Sequence, residues 1–515
     1  MTHTLNLDKL NEQQLRALAA QLLVDGQKKD ATIKYVTTEN QQLKHEMAIL
    51  KRHKFARTSE VLNAHQRSLL DDLVNEDIAA IEEHIAQHDA QLAEVQNKPQ
   101  EKRQPKRAPL PPELPRTIIE HEPHSTECSC GCQLKRIGED ISEKLDYVPG
   151  TFTVERHVRG KWVCDQCETL TQAPVPAQII DKGIPTAGLL AQVLIAKYGD
   201  HLPLYRQEKI FARAGVEMSR STLADWVGRC GVALQPIVDA LRDELHQHSV
   251  LHADETPVAM LSPGKQKTHK AYVWAYTSTP FSGTRAVVYD FAPGRSGEHA
   301  RRFLQSWQGK LVCDDFSGYK ASFKQGITEI GCMAHARRKF FDLHAANQST
   351  LAEYALQQIG HLYDIEREIK ETTNEQRKMV RQQQAKPILD QLREWLTLQR
   401  QRVPNGSAIA KAIDYSLKRW DALTRYCEDG AVPIDNNWVE NQIRPWALGR
   451  NNWLFAGSLR SGQRAANVMS LIQSAKLNGH DPYMYLKDVL ARLPSQKNNQ
   501  LDELLPHNWA QPDKV

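Results

Sequence analysis

The pattern that most constrains the fold lies between residues 249 and 315. Three strand-like segments come first, followed by an amphipathic segment and a fourth apolar run: SVLHADETPVAML, KAYVWAYTS, RAVVYDF, SGEHARRFLQSW and GKLVCDD. Alternation of apolar and polar residues with a period of two predicts strands, and the amphipathic segment predicts a helix. A chain of this order builds a sheet whose last connection crosses over through a helix.

Three strands, a helix and a fourth strand are the opening order of a ribonuclease-H-like α/β domain, to which we assign residues 249–465. Residues at about 345–430 carry long polar segments such as PILDQLREWLTLQRQR with almost no strand signal, which predicts an all-α insertion. Because 515 residues exceed what one core organises, the protein is expected to be multidomain. Residues 466–515 are predicted to form a C-terminal helical region.

Two of the predicted strands carry pairs of carboxylates. A period of two places Asp254 and Glu255 on opposite faces of the first strand, and it separates Asp314 from Asp315 in the same way. Each strand thus contributes one carboxylate to a shared face. Two such carboxylates, joined by a third from a later helix, form the usual site for two Mg²⁺ ions, since hard cations prefer oxygen ligands.

Glu440, in the segment IDNNWVENQIRPWALGRNNWLFAG, is a candidate for the third carboxylate. Asn437 and Glu440 also match a capping box at the start of a helix, and the two interpretations are compatible. Spacing alone does not choose between them. Arg444 and Arg450 add positive charge that suits phosphate beside a metal, as do Arg460 and Arg464. The segment also contains Trp438, Trp446 and Trp453. Two interpretations are open for them: they belong to the core, or they stack on an unpaired base.

Five of the nine cysteines are concentrated in the motifs CSCGC and CDQC. Zn²⁺ in a structural site takes four tetrahedral ligands, so we predict a small zinc-binding domain at residues 117–180. Four of the following five residues would bind the zinc: Cys128, Cys130, Cys132, Cys164 and Cys167. His121 and His124 are further potential donors. The remaining cysteines are expected to be ordinary buried thiols: Cys230, Cys313, Cys332 and Cys427.

The N-terminal residues 1–96 have the heptad spacing of a coiled coil. Apolar residues recur from Ile33 to Leu50 in a three-four alternation in which Asn40 fills one core position. A buried Asn at such a position favours a parallel two-stranded pairing, so a homodimer is predicted. A second set of apolar residues, from Val74 to Val95, either extends the dimer or folds back as a helical hairpin within one chain.

Acidic and basic residues are separated along this part of the chain. Residues 60 to 95 hold nine acidic and one basic side chain, whereas residues 97 to 116 hold six basic and two acidic ones, with six prolines. Proline excludes helix, so residues 97–116 are predicted to be an extended basic linker. It either lies along DNA phosphates or is a solvated tether.

Residues 181–248 are predicted to be helical and include LYRQEKIFARAGVEMSRSTLADWV, the layout of a helix-turn-helix. Its second helix begins after a cap at Ser219 or Ser221. Arg220, Ser221 and Thr222 would lie at the end that enters a DNA groove. The same pattern also occurs as a packing corner without DNA.

The sequence contains neither a membrane span nor a secretory signal. The longest apolar run, GLLAQVLIA, is far shorter than the ~20 residues that span a bilayer, and the N-terminus lacks a basic and then apolar pattern. A cytoplasmic protein is therefore expected.

Several motifs, in this order, resemble the insertion-sequence-sixty-six family of bacterial DDE transposases: FARTSEVL, PLPPELPR, HADETPV, DDFSGYK, GCMAHARRKFF, DNNWVENQIRPWALGRNNWLFAGS and SLIQSAKLNGHDPYMYLKDVLARLP. The resemblance implies that Asp254, Asp314 and Glu440 are the catalytic triad and hold Mg²⁺ or Mn²⁺. Asn441 stands where the family usually has Arg, and RNN replaces RKN, which weakens the expected phosphate contacts. CSCGC replaces the family's usual C-x-x-C.

The function implied is that of a transposase that binds the terminal inverted repeats of its element, cleaves DNA and joins the 3′ hydroxyl to target DNA. The resemblance also implies a nucleoid-associated protein and small accessory proteins from the same element. Two alternatives are a metal-dependent nuclease of the same fold, without strand transfer, and a catalytically inactive DNA-binding protein.

Overall fold

The computed structural model of the chain describes residues 12–55, 64–96, 110, 112, 114–122, 127, 132–148, 150–180, 183–262 and 265–511. The strands are β1 Arg116–His121, β2 Leu134–Val148, β3 Thr151–Cys164, β4 Leu170–Gln172, β5 Val250–Ser262, β6 Lys265–Ser278, β7 Val287–Ala292, β8 Lys310–Cys313 and β9 Thr328–Gly331.

The α-helices are α1 Glu12–Phe55, α2 Ala64–Gln96, α3 Ala187–Leu194, α4 Leu204–Arg213, α5 Arg220–Ala233, α6 Gln235–Leu245, α7 Gly297–Leu304, α8 Lys320–Lys324, α9 Met333–Asn347, α10 Thr350–Glu368, α11 Asn374–Val380, α12 Lys386–Arg402, α13 Ala408–Lys418, α14 Trp420–Thr424, α15 Asn437–Trp453, α16 Leu459–Leu477 and α17 Pro482–Arg492. Short π or 3₁₀ turns occupy Ile195–Gly199, Ser317–Tyr319, Arg381–Ala385, Arg425–Glu428, Leu493–Ser495 and Asn498–Leu504. None of these helices combines the length and apolar character needed to cross a membrane.

A five-stranded sheet in the order β7-β6-β5-β8-β9 forms the centre of the molecule. Its first three strands are antiparallel, whereas β5 pairs with β8, and β8 with β9, in parallel. Helix α7 lies in the crossover from β7 to β8. The predicted succession of three strands, a helix and a fourth strand is therefore confirmed.

Helix α16 covers the outer edge of this sheet. The hydroxyl of Ser474 accepts the main-chain N–H of Val287 at 3.0 Å, and that of Ser470 accepts the N–H of Tyr289 at 2.9 Å. An open edge strand offers unpaired amides to other chains, so these serines protect β7 from such pairing. The bulky rings of β7 pack against Trp446 of α15.

Helices α9 to α14 build a second core beside the sheet, where the sequence predicts a helical insertion. The fully buried guanidinium of Arg381 holds it together. Arg381 pairs with Glu366 at 2.6 Å and donates to the carbonyls of Tyr426 and Val432 at 2.9 and 2.8 Å. The chain returning from the insertion towards α15 is thereby fixed to the inserted helices.

The N-terminal helices pack against each other within one chain. Val36 and Leu43 of the predicted seam are buried, and the side-chain amide of Asn40 donates to Asp89 of α2 at 2.8 Å. The hairpin alternative is therefore present within one chain, while pairing with a second copy stays a prediction. The same heptad spacing fits both arrangements, and here the amide nitrogen of Asn40 has an acidic partner in α2, whereas its oxygen has none among the described residues.

Helix α2 also docks on the rest of the molecule. Its buried Glu76 lies 2.8 Å from Lys197, and Asp77 lies 2.7 Å from Arg464. A side chain at Gly228 of α5 would collide with the main chain of Glu76, so the helices approach very closely. Arg464 is therefore bound inside the protein and is not available to phosphate.

The helix-turn-helix layout is present in α4 and α5. Gly215 adopts a positive φ of 83° in the turn, which glycine tolerates best, and Ser219 caps α5 by accepting the N–H of Thr222. Apart from its first turn, α5 is surrounded by protein, since most of its residues from Leu223 to Val232 are buried.

Candidate active site

The sheet register brings Asp254 and Asp314 side by side. Strands β5 and β8 pair in parallel from Val250 with Lys310 to His252 with Val312, a constant offset of 60 residues. The same offset places Asp254 level with Asp314, directly after the end of β8. Each carboxylate is oriented by a nearby amide: Asp254 accepts the N–H of Glu255 at 2.9 Å, and Asp314 that of Phe316 at 2.8 Å.

Helix α15 adds Glu440 to this pair. Asn436, at the start of α15, donates through its side-chain amide to the carbonyl of Ala253 at 3.0 Å, and its side-chain oxygen lies 2.8 Å from His252. At the other end, Ala456 bonds the main chain of β5 at Ala259. Because α15 is attached to β5 at both ends, Glu440 in its first turn is held over the strand that carries Asp254.

The predicted capping box at Asn437 and Glu440 is wrong. The helix is preceded by Asn436, which makes no side-chain bond to the first turn. Asn437 donates instead to Asp435 at 2.8 Å. The Asn436 side chain is fully buried, and its hydrogen bonds are made to β5. Glu440 therefore takes no part in a capping box and remains available for the site.

Burial and neighbouring negative charges both act on the carboxyl of Asp254. Desolvation raises the pKa of Asp254 well above its usual range, and the carboxylates of Glu255, Asp314 and Glu440 raise it further. Among the described residues, no cationic side chain lies within ion-pair distance of Asp254. The charges of Asp314 and Glu440 thus act on Asp254, and a set of carboxylate oxygens of this kind has the composition that Mg²⁺ or Mn²⁺ would complete.

The two neighbouring acidic residues have cationic partners of their own. Arg295 is hydrogen-bonded to Glu255 at 2.7 Å, and Tyr319 donates to the same carboxylate at 3.0 Å. Asp315 lies 2.8 Å from Arg419, which also binds Glu329. Each adjacent acid is thus neutralised, whereas Asp254 and Asp314 are left for a different partner.

An open groove of about 600 Å³ borders Asp314. Its lining combines three acids with three cationic side chains and three rings: Asp314, Asp315, Asp342, Arg295, Arg338, Lys339, His335, Phe316 and Tyr415. Cations beside a metal-binding pair of acids suit a phosphodiester backbone. Arg444 is exposed, and Arg450 donates to the carbonyl of Pro257 at 3.1 Å.

The other predicted DNA-contacting residues lie elsewhere. Arg220, Ser221 and Thr222 occupy the accessible first turn of α5, where Arg220 is engaged by Glu208. Trp446 is buried in the core, and Trp438 donates to Thr277 at 3.3 Å. Stacking on a base is therefore not possible for Trp446.

His335 is a site residue that sequence reasoning missed. Its Nδ1 lies 3.9 Å from the Glu440 carboxylate, and the ring lines the groove. The available signal was the spacing of Cys332 and His335 in GCMAHARRKFF, which delivers a thiol and an imidazole from one helix start.

The zinc-binding region consists of the β2–β3 hairpin with β1 and β4 alongside β3. Cys164 is buried opposite Leu134 at the open end of the hairpin, and Cys132 lies two residues before Leu134. The Cys132 thiol donates to Gln166 at 2.9 Å. Cys128 and Cys130 fall outside the described residues, so the choice of four zinc ligands stays a prediction. As expected, the other four cysteines are buried.

Sequence comparison assigns most of the chain to family models. The model described as transposase IS66 family matches residues 182–464, and the IS66 C-terminal element matches residues 470–507. The zinc-finger binding domain of transposase IS66 matches residues 125–168. A model described as transposase C of IS166 homeodomain matches residues 42–119.

Similar whole proteins come from Sinorhizobium fredii. The chain is 37% identical to the uncharacterized protein y4jD, over 91% of this chain and 94% of that protein. It is 36% identical to the uncharacterized protein y4hP, over 78% of this chain and 76% of that protein. The similarity therefore extends well beyond the sheet that carries the carboxylates.

Proposed function

The chain belongs to the IS66 family of transposases, and from this membership we propose that it cleaves DNA at the terminal inverted repeats of an insertion sequence and joins the freed ends to target DNA. The proposal is supported by the register that places Asp254 level with Asp314 and by the effect of the Asp314 and Glu440 charges on the pKa of Asp254. A ribonuclease-H-like core is supported by the strand order, with three antiparallel strands followed by two parallel ones.

Asp254, Asp314 and Glu440 would hold two Mg²⁺ or Mn²⁺ ions. When bound, such cations activate a water or a 3′ hydroxyl and stabilise the departing oxygen at phosphorus. The chain's own contribution is to fix the three carboxylates. The strand register aligns the two aspartates, and Asn436 ties the start of the Glu440 helix to Ala253, the residue next to Asp254.

The groove beside the carboxylates would receive the DNA strand that is cut. Arg338 and Lys339 line it opposite Arg295, and phosphate contacts of this kind position a duplex without reading its sequence. Arg444 and Arg450 extend the positive surface along α15. Reading of the inverted repeat is assigned to the first turn of α5, with Arg220, Ser221 and Thr222, and to the basic segment 97–116.

Zinc would organise the β2–β3 hairpin through four of its five cysteines, and it would have a structural role because thiolate-rich sites are closed. Transposition brings two DNA ends together, which requires at least two active sites in one complex. We therefore retain assembly of more than one copy, with small accessory proteins of the same element as further partners, as part of the proposal.

The test uses purified full-length protein and labelled terminal-repeat DNA with Mg²⁺ or Mn²⁺. Wild type should release a 3′ hydroxyl end and form a joined product, whereas Asp254→Asn and Glu440→Gln should form neither. Cleavage without joined product would favour a nuclease of the same fold. Binding without cleavage by the wild type would favour an inactive DNA-binding protein, and unchanged cleavage by Glu440→Gln would remove Glu440 from the site.

A further inference from the structure

A second set of metal-binding side chains shares Glu440 but not the two aspartates. The sulfur of Cys332, a ring nitrogen of His335 and a carboxylate oxygen of Glu440 all lie within 4.8 Å of one another. Cys332 follows β9, His335 lies in the first turn of α9, and Glu440 lies in the first turn of α15. Three different elements thus direct one sulfur, one nitrogen and one oxygen to a common point.

The chemistry of these donors differs from that of the carboxylate triad. Thiolate and imidazole favour borderline and soft cations such as Zn²⁺, Co²⁺ and Cd²⁺, whereas Mg²⁺ prefers oxygen alone. Three protein ligands leave one tetrahedral position open, and one of the three, His335, lines the groove. A cation bound there would retain one exchangeable water.

His335 has an unsatisfied group directed into this point. Its Nδ1 is buried and has no hydrogen-bond partner among the described residues, although it lies 3.9 Å from Glu440. A buried polar atom without a partner costs free energy, and metal coordination would remove that cost. The Cys332 sulfur is also buried and already turned towards α15, since it accepts the N–H of Asn436 at 3.2 Å.

We propose that Cys332, His335 and Glu440 form a binding site for a zinc-type divalent cation, and that its occupation inhibits the enzyme by withdrawing Glu440 from Asp254 and Asp314. The inhibitory part rests on the proposed function of Glu440, whereas the binding part does not. A zinc-bound cysteine is a thiolate, so binding would release the Cys332 proton to solvent.

The binding test is calorimetric titration of zinc-loaded full-length protein with further Zn²⁺. Wild type should bind one additional ion. Cys332→Ser and His335→Gln should bind it at least about 10–100-fold more weakly, because loss of even a residue that only supports a metal ligand lowers metal affinity by that factor. Cys427→Ser is the matched control, because it removes another buried thiol, in the core of the inserted helices, and should bind like wild type. The cysteine cluster of the zinc region is unchanged in all four proteins. Equal titrations of wild type, Cys332→Ser and His335→Gln would overturn the site.

The inhibition test measures Mg²⁺-dependent cleavage against Zn²⁺ concentration, with each protein normalised to its own activity in Mg²⁺ alone. The half-inhibitory Zn²⁺ concentration should rise at least about tenfold in His335→Gln. Zinc binding without inhibition of the wild type would overturn the inhibitory role. If wild type does not cleave DNA at all, the proposed function fails, while the titration still decides whether the cation site exists.

Discussion

The imidazole Nδ1 of His252 lies 2.8 Å from the side-chain oxygen of Asn436, although 184 residues separate them in the chain. Burial lowers the pKa of His252 to about 4, so the ring is neutral near pH 7. The Asn436 amide nitrogen already donates to the Ala253 carbonyl, so His252 must donate from Nδ1 to the oxygen. This contact joins the strand of Asp254 to the helix of Glu440.

Loss of this contact should affect both stability and catalysis. Asn436→Ala leaves the His252 N–H and the Ala253 carbonyl without this partner, at about 1–3 kcal/mol for each unsatisfied group. Denaturant unfolding should show this decrease, and DNA cleavage should fall because Glu440 loses its attachment. Asn437→Ala is the matched control. Asn437 is exposed, and its side chain bonds to the nearby Asp435, so its effect should be within about 0.5 kcal/mol. Equal effects of the two substitutions would contradict a role of Asn436 in positioning.

His252 should also make the fold sensitive to acid. Its folded pKa of about 4 lies below the ordinary value of 6.5, so between these values the unfolded chain binds a proton that the folded chain excludes. Stability is therefore fully present above pH 6.5 and is lost as pH falls towards 4, by about 1.4 kcal/mol per pH unit for one such group. His84, whose pKa burial also lowers to about 4, contributes in the same direction.

The share of His252 can be isolated by measuring the free energy of unfolding of wild type and His252→Gln from pH 7 to pH 4. The glutamine amide can still donate to Asn436 but does not titrate. The stability lost by the wild type should exceed that lost by the variant by up to about 3 kcal/mol. Parallel curves for the two proteins would show that His252 is not buried in its neutral form.

The carboxylate cluster should destabilise the metal-free fold. Because the pKa of Asp254 is raised, the folded chain holds this proton more tightly than the unfolded chain, and stability is lost as pH rises from 3.8 through the folded value. Asp254→Asn should therefore stabilise the metal-free protein near neutral pH, by about 1 kcal/mol or 2–4 °C for a domain of 150–250 residues.

Addition of Mg²⁺ should have the opposite effect on the stability of the wild type. Mg²⁺ at about 100 times its dissociation constant should stabilise the wild type by about 2.7 kcal/mol, and Asp254→Asn by much less. Thermal unfolding with and without Mg²⁺ measures both values. A larger shift in the variant would contradict the assignment of Asp254 as a ligand.

Sequence periodicity predicts the sheet because local alternation determines which residues face the core. It does not predict that Asn436 contacts His252, since such a long-range pairing depends on how the inserted helices return the chain. The error at Asn437 has the same origin: local spacing suggested a cap, whereas the neighbouring Asn436 is used in tertiary bonds. At Asn40, heptad spacing is equally compatible with two chains or one, and it does not predict that Asp89 of α2 accepts this amide within one chain.

The buried ion cluster between α2 and α16 should be a strong point of attachment for the N-terminal helices. Arg464→Met would leave the buried Asp77 without its partner at 2.7 Å, which should cost about 3–5 kcal/mol in denaturant unfolding. Arg460→Met removes a comparable cation whose partner, Glu46, is half-exposed, and should cost about 0–1 kcal/mol. Similar losses for the two variants would indicate that Arg464 is accessible to water.

The sharpest test of the triad compares two adjacent acids. Asp314 accepts the Phe316 N–H beside Asp254 and has no cationic partner within ion-pair distance among the described residues, whereas Asp315 lies 2.8 Å from Arg419. Asp314→Asn should abolish metal-dependent cleavage of terminal-repeat DNA, because the amide keeps the shape but loses the charge that holds the cation. Asp315→Asn should keep measurable cleavage and lose little stability, since Arg419 retains Glu329 at 2.7 Å. Loss of cleavage in Asp315→Asn with activity retained in Asp314→Asn would move the metal ligand by one residue and contradict the register that aligns Asp254 with Asp314.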